Sequence, residues 1–284
     1  MRGMSSPPFR VATPEERANY DDALYPLQDR ILGVAATYGD ALVLTGGTAL
    51  ARLYLHHRYS DDLDLFTLHG HAGTLARDFA NALQAAGFTV EPVTESPAFM
   101  RMWVGDGAQR IQVDVAPDSP RVESPSVSEL GVFAHSMRDI AANKIAAFED
   151  RSELKDAVDL FHLARRFSWP AMFADAERKR VPIAYEDLQH FLDTPLRGSA
   201  LLTEPIAEDD FARFVATLRD EVAAEIKKKV AEYRGRLGAI AAGLLWDTPS
   251  ELRTINDRTR AVLARRAAQL PLPERIVLLE ALAA

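Results

Sequence analysis

The sequence predicts an α+β protein: a mixed strand-and-helix core, then a mostly helical region. Three observations carry this. Short segments with two-residue alternation crowd the stretch up to Val115. A Pro/Ser-rich run occupies Pro117–Pro125, and almost everything after it has helical apolar spacing.

In order, Thr13 precedes Pro14-Glu15-Glu16 and predicts a helix start, with the helix running to about Ala36. Ala41–Thr45 is a short apolar run, expected as a buried strand, which Gly46-Gly47 ends. Thr48–His57 reads as a helix with Leu50, Leu53 and Tyr54 on one stripe. Asp62–Phe66 alternates polar and apolar, the pattern of a half-buried strand. Gly73–Ala86 is helical and Gly87 stops it. Three strands follow at Phe88–Val93, Ala98–Val104 and Gln109–Val115, the last two joined through Gly105-Asp106-Gly107 as a hairpin. Helices are then expected at Ser136–Asp150, Ser152–Phe167, Trp169–Arg180, Tyr185–Leu192, Glu208–Lys229, Ala231–Trp246, Pro249–Leu270 and Pro273–Ala284. The expected domains are an α/β core at 1–125, a helical domain at 126–200 and a helical region at 201–284, with the first boundary near 118–130.

Composition removes several function classes. The 284 residues carry 33 Lys+Arg against 41 Asp+Glu, a net charge of −8, so whole-surface nucleic-acid binding is disfavoured while a local basic groove is not. There is no Cys, which removes disulfides, thiolate metal sites and thiol nucleophiles. The longest apolar run, Leu237–Trp246, is far short of the ~20 residues of a membrane span. Met1–Pro8 lacks the apolar core of a signal peptide, so a cytoplasmic location is expected.

The chemistry-bearing feature is Asp62-Leu63-Asp64. On a strand both carboxylates face one way, and such a pair is either a solvated face or a grip for a hard divalent cation such as Mg²⁺. Asp114 sits in a like setting in Ile111-Gln112-Val113-Asp114-Val115 and would complete a three-carboxylate metal site if its strand lies beside the first. Gly46-Gly47-Thr48, between strand and helix, is either a plain turn or a phosphate cradle. Arg58 and Ser60, just before the Asp pair, are surface-loop residues or phosphate ligands. Lys144 borders the buried stripe of its helix and needs an anionic partner, either a triphosphate or Asp159, unless it snorkels to water. Asp159, flanked by Val158 and Leu160, is expected to be partly buried and to act as a base or to position Lys144, whereas Lys155 and Asp156 suit a solvated helix face. The basic residues Arg253, Arg258, Arg260, Arg265 and Arg266 read as a solvated face or as contacts to RNA phosphates.

Together, Gly46-Gly47-Thr48-Ala49-Leu50 and Arg58-x-Ser60-x-Asp62-Leu63-Asp64-Leu65-Phe66 resemble the nucleotidyltransferase superfamily, and more narrowly the AbiEii/AbiGii toxins. Ala141-x-x-Lys144-x-x-Ala147 and Lys155-Asp156-x-x-Asp159-Leu160 fit that family's two later motifs. The resemblance implies a polymerase-β-like mixed sheet followed by helices. It implies Asp62 and Asp64 on a catalytic Mg²⁺, Ser60 matching the serine beside the pair, Lys144 on the nucleotide phosphates and Asp159 as the essential last acid. It further implies a toxin with a cognate antitoxin, using a nucleoside triphosphate and an RNA acceptor such as the 3′ end of tRNA. Transfer to a protein or antibiotic hydroxyl, and a non-catalytic binding module, are the competing expectations.

Overall fold

The computed structural model describes residues 9–68, 72–151, 153–179 and 196–246, with positions 183, 185, 188 and 192. The expected helix at Tyr185–Leu192 falls largely outside the described residues. Those at Pro249–Leu270 and Pro273–Ala284, with their arginines, fall wholly outside.

The chain begins with strand β1 (Phe9–Val11) and helix α1 (Pro14–Asn19), which Thr13 caps as expected, its hydroxyl accepting from the Glu16 amide at 3.3 Å. The expected single helix to Ala36 is interrupted by a π-helical turn at Tyr20–Leu24 before α2 (Tyr25–Ala36). Pro26 explains the shift: it has no N–H to give to the preceding turn, so the ladder slips. A face of Leu27, Ile31, Leu32 and Ala35 is fully buried, each large side chain contributing about 1.5–3 kcal/mol of transfer free energy.

Seven strands form one mixed sheet: β2 (Val43–Thr45), β3 (Leu63–Thr67), β4 (Thr89–Glu95), β5 (Met100–Gly105), β6 (Arg110–Pro117), β7 (Ser126–Val127) and β8 (Phe133–Ala134). Their order is β4-β5-β6-β3-β2-β8-β7. Antiparallel β2–β3 pairs Thr45 with Asp64, and parallel β3–β6 pairs Asp64 with Asp114. The expected neighbourhood of the two Asp strands is thus met. Leu63, Leu65, Val113 and Val115 are fully buried, which fixes the register, because a one-residue slip would turn both aspartates into the core. Helix α4 (Ala72–Ala85) covers the sheet through Ala76, Phe79 and Leu83, all fully buried.

The boundary expected near 118–130 falls inside this sheet. Just after the Pro/Ser-rich stretch β7 and β8 pair with each other, and β8 joins β2, with the His135 amide donating to Leu44 O at 3.0 Å. By packing, the chain divides into Met1–Ala216 and Thr217–Ala284.

Helices α5 (Met137–Arg151), α6 (Leu154–Leu163) and α7 (Trp169–Arg178) follow. At the start of α5 Ser136 accepts from the Asp139 amide at 3.1 Å, as a capping box requires. The Asp139 carboxylate does not complete the box. It accepts from the Val122 and Glu123 amides at 2.8 and 3.0 Å and from Lys179 at 2.7 Å, tying the incoming loop to α7's end. A second sheet pairs β1 with β9 (Ala200–Leu202) in parallel. The last described helix, α8, runs unbroken over Glu208–Trp246, where two helices were expected. Neither Val230 nor its neighbours can stop a helix, so the join is continuous. No described helix is long and apolar enough to cross a membrane.

Candidate active site

The site forms where the Gly-Gly turn meets the start of β3. Gly46 opens helix α3 (Gly46–Ala49) at φ 69°, a conformation that favours glycine. A Cβ there would stand 2.0 Å from Asp64 Oδ2, and one on Gly47 would stand 2.2 Å from Arg58 Nη2 and 3.1 Å from Ser60 Oγ. The two glycines are therefore needed because polar side chains of the site lie directly on the turn. The helix continues through a π turn at Leu50–Leu55 and ends at His56, which is left-handed at φ 51°. The chain then runs extended beside β9: the Tyr59 amide donates to Leu201 O at 2.9 Å, and the Thr203 amide to His57 O at 3.2 Å. That pairing fixes the backbone of His57 and Arg58.

Thr48 is buried, and its hydroxyl donates to the backbone carbonyl of Asp62. It was expected to bind nucleotide; instead it clamps the start of β3. Ser60 is also buried, its hydroxyl 3.4 Å from Asp62 Oδ1 and its carbonyl accepting from Gln28 Nε2 at 3.0 Å. Both residues orient Asp62 rather than line the cavity.

Asp62 and Asp64 line a polar pocket of about 260 Å³ that Gly47, Arg58, Asp114 and Lys144 also line. Burial, and then the charge of Asp62, push the Asp64 carboxyl up to about 7, against the opposing pull of Lys144. Asp64 is thus short of positive charge.

Asp159 is the opposite case. Its Oδ1 accepts from Arg58 Nε and lies against His57 Nε2, both at 2.7 Å; its Oδ2 accepts from Arg58 Nη2 at 3.0 Å and pairs with Lys144 Nζ at 2.7 Å. Burial alone would raise its pKa, but the charges of Arg58 and Lys144, with the bonds from His57 and Arg58, hold it well below the ordinary value. A carboxylate so filled with donors is not a general base, and of the two expected roles the positioning one fits. Arg58 lines the pocket, with Nε and Nη2 donating to Asp159 and Nη1 to the Tyr59 carbonyl, so three of its five N–H donors are committed within the protein. Asp156, expected on a solvated face, is fully buried. It accepts from Lys144 at 2.8 Å and from Arg151 Nε at 2.7 Å. Lys144 does not snorkel; it is 4% exposed, and Asp156 and Asp159 take two of its three donors where it borders the pocket.

Asp114 was expected as a third metal ligand. Arg101 occupies it instead: Nε lies 2.9 Å from Oδ1 and Nη2 2.7 Å from Oδ2, a bidentate pair. Among the described residues no group of three or more His, Cys, Asp or Glu has the geometry to hold a metal. Asp62 and Asp64 still fit a hard cation by donor type, and Asp64 by its charge deficit. Asp114, already neutralised, does not.

The sequence reading gave no site role to Arg101, Gln112, Arg151, Glu153 or to Lys155, which it read as a solvated helix face, yet all line the pocket wall, with His57 behind it. Lys155 Nζ is 3.9 Å from Asp62 Oδ2 and 3.2 Å from Glu153 Oε2. A signal for Arg101 existed: the hairpin at Gly105–Gly107 sets Gly105 opposite Arg110, and counting back places Arg101 opposite Asp114. For His57 no spacing rule applies, since its partner lies on α6, 102 positions away.

A mixed sheet carrying the Asp-x-Asp segment beside a Gly-Gly helix start is the arrangement that the resemblance to nucleotidyltransferases implies. The chain belongs to the AbiEii nucleotidyl transferase toxin family of type IV toxin–antitoxin systems, whose description matches residues 30–234. Membership implies a nucleoside triphosphate substrate and an antitoxin partner. Among solved structures, JHP933 from Helicobacter pylori is 18% identical over 82% of this chain and 100% of its own, with a TM-score of 0.49. The nucleotidyltransferase toxin MenT4 from Mycobacterium tuberculosis is 17% identical over 70% of this chain and 82% of its own, with a TM-score of 0.47. No curated protein matches the chain.

Proposed function

We propose that this protein transfers a nucleoside monophosphate from a nucleoside triphosphate to the 3′ hydroxyl of an RNA acceptor, tRNA first among them, and thereby arrests growth until its antitoxin intervenes. In this reaction the acceptor hydroxyl oxygen bonds to the α-phosphorus and releases its proton to solvent, the bond from the α-phosphorus to the bridging oxygen of the β-phosphate breaks, and pyrophosphate leaves. The observation that carries the reading is the Asp62/Asp64 pair, with Asp64 short of positive charge, in a pocket bordered by the ammonium of Lys144.

Asp62 and Asp64 are the residues that would hold Mg²⁺. Bound there, the ion neutralises phosphate charge and polarises the reacting phosphoryl group. Lys144 supplies a fixed positive charge whose position costs no reorganisation, because Asp156 and Asp159 already hold it. Lys155 and Arg151 line the same wall and are partly exposed, although Arg151 is also paired with Asp156 and Lys155 with Glu153; in this reading their remaining donors meet the anionic triphosphate. Thr48 and Ser60 hold the Asp62 segment, and Gly46 and Gly47 leave room for Asp64 and Arg58.

The test incubates the protein with each α-labelled nucleoside triphosphate and Mg²⁺ against separate pools of tRNA, protein and aminoglycoside. Label is expected on tRNA and absent with Asp62→Ala. Label on the protein or antibiotic pool instead, or undiminished labelling by Asp62→Ala, contradicts the reading. A small winged-helix reading frame upstream would support the toxin role.

A further inference from the structure

Asp64, Asp114 and Arg101 stand opposite one another on three neighbouring strands. Asp64 pairs in register with Asp114 across β3 and β6, and Asp114 with Arg101 across β6 and β5. All three line the pocket. Neighbouring strands lie about 4.8 Å apart, so Asp114 is within reach of an ion held by Asp64. Its charge is felt there: after burial and Asp62, and against the pull of Lys144, Asp114 also raises the Asp64 carboxyl. By position and donor type Asp114 would be the third ligand that lets a carboxylate pocket hold two metals about 3.5–4 Å apart.

Arg101 takes that place. Its Nε lies 2.9 Å from Asp114 Oδ1 and 3.3 Å from Oδ2, and its Nη2 lies 2.7 Å from Oδ2, to which Gln112 Nε2 also donates at 3.5 Å. Both oxygens are covered, on a residue only 8% exposed. A guanidinium keeps its proton, so this charge is permanent. The other carboxylate on the wall, Glu153, is matched as well, by Lys155 at 3.2 Å and Arg151 at 3.6 Å. When ionised, Asp62 and Asp64 then carry two negative charges between them, which one divalent ion balances. Arg101 itself is anchored but not exhausted: Asp114 takes two of its five N–H donors, and its side chain is 41% exposed.

We propose that Arg101 limits the pocket to one divalent ion and supplies, from a fixed position, the positive charge that a second ion would bring. The ion count stands on its own. The use of the remaining Arg101 donors on phosphoryl oxygens rests on the transfer reading.

The test is titration of the full chain with Mn²⁺ at a pH above 7, where Asp64 is ionised. Bound ions are counted by equilibrium dialysis, and ion pairs are detected by electron paramagnetic resonance. The wild type is expected to bind one ion, with the spectrum of isolated Mn²⁺. Arg101→Ala frees Asp114 and is expected to bind two, with the spectrum of a coupled pair. Arg101→Gln, which keeps the stem, should give the same count, and Asp114→Asn added to either variant should return it to one. In the labelled-transfer assay Arg101→Ala should fall about 100-fold at low Mn²⁺ and recover as the second ion loads. Two ions or none on the wild type, or a single ion on both Arg101 variants, overturns the proposal. Undiminished transfer by Arg101→Ala overturns the charge role. Absence of transfer by the wild type to any acceptor overturns the transfer reading and leaves the ion count intact.

Discussion

Asp64, half-buried at the pocket, and Asp159, fully buried, are carboxyls of the same packing unit, yet their surroundings push them in opposite directions. Asp64 shares its pocket with Asp62 and is driven up to about 7 by burial and by that neighbour's charge. Asp159 accepts from Arg58 and His57, pairs with Lys144, and is held well below the ordinary carboxylate range despite its burial. One carboxylate lacks a cation and the other is saturated with them. The contrast separates the carboxyl proposed to take up a cation from the one held by cations of the protein itself, although both are aspartates of recognisable motifs. It also orders the further aspartates. Asp156 belongs with Asp159, and Asp114, paired with Arg101, belongs to neither extreme.

The largest effect should come from the charge-deficient side. Asp62→Ala or Asp64→Ala is expected to lower nucleotidyl transfer by about 1000-fold or more without unfolding the protein, as checked by labelled transfer beside circular dichroism. Asp159→Ala should do the reverse. It leaves Arg58 and Lys144 buried with less counter-charge and should cost about 3–5 kcal/mol of stability in denaturant titration. Gly46→Ala comes next, at about 1–3 kcal/mol, since it forces a left-handed backbone on a residue whose Cβ meets Asp64. Arg101→Ala removes a partly exposed pair and should change stability by less than about 1 kcal/mol.

Acidity sharpens the comparison. The Asp64 carboxyl is raised from 3.8 to about 7, so in protein stripped of metal its contribution to stability is full below the lower value and is lost as pH rises through the upper one. Asp159 is depressed, so its contribution is present above its ordinary value of 3.8 and is lost as pH falls through its folded value. In chelator-treated protein, Asp64→Asn should therefore remove a loss of stability between pH 4 and 7. Asp159→Asn should flatten the acid limb. Identical pH profiles for the two variants would erase the distinction.

Much of this was legible in the sequence, and the parts that were not share a cause. Alternation in Asp62–Phe66 and Ile111–Val115 located both Asp strands and their facing, because one buried face fixes register. The placement of Gly46-Gly47 between strand and helix was legible too, but its reason was not, since the side chains packed on the glycines come from Arg58, Ser60 and Asp64. Periodicity placed Lys144 at the edge of a buried stripe and left its partner open between a ligand and Asp159. It misjudged Asp156 because Arg151 and Lys144 approach it from α5. The β7–β8 pair, just past the Pro/Ser-rich stretch, was not legible because two-residue strands carry no period. Partners across elements, rather than propensities within them, were what one-dimensional reading could not supply.

The most direct measurement is titration of Mg²⁺ or Mn²⁺ into the wild type, Asp62→Asn and Asp114→Asn, followed by calorimetry. Metal binding should vanish with Asp62→Asn and persist with Asp114→Asn. Full binding by Asp62→Asn would contradict the assignment of the Asp62/Asp64 pair as the metal grip.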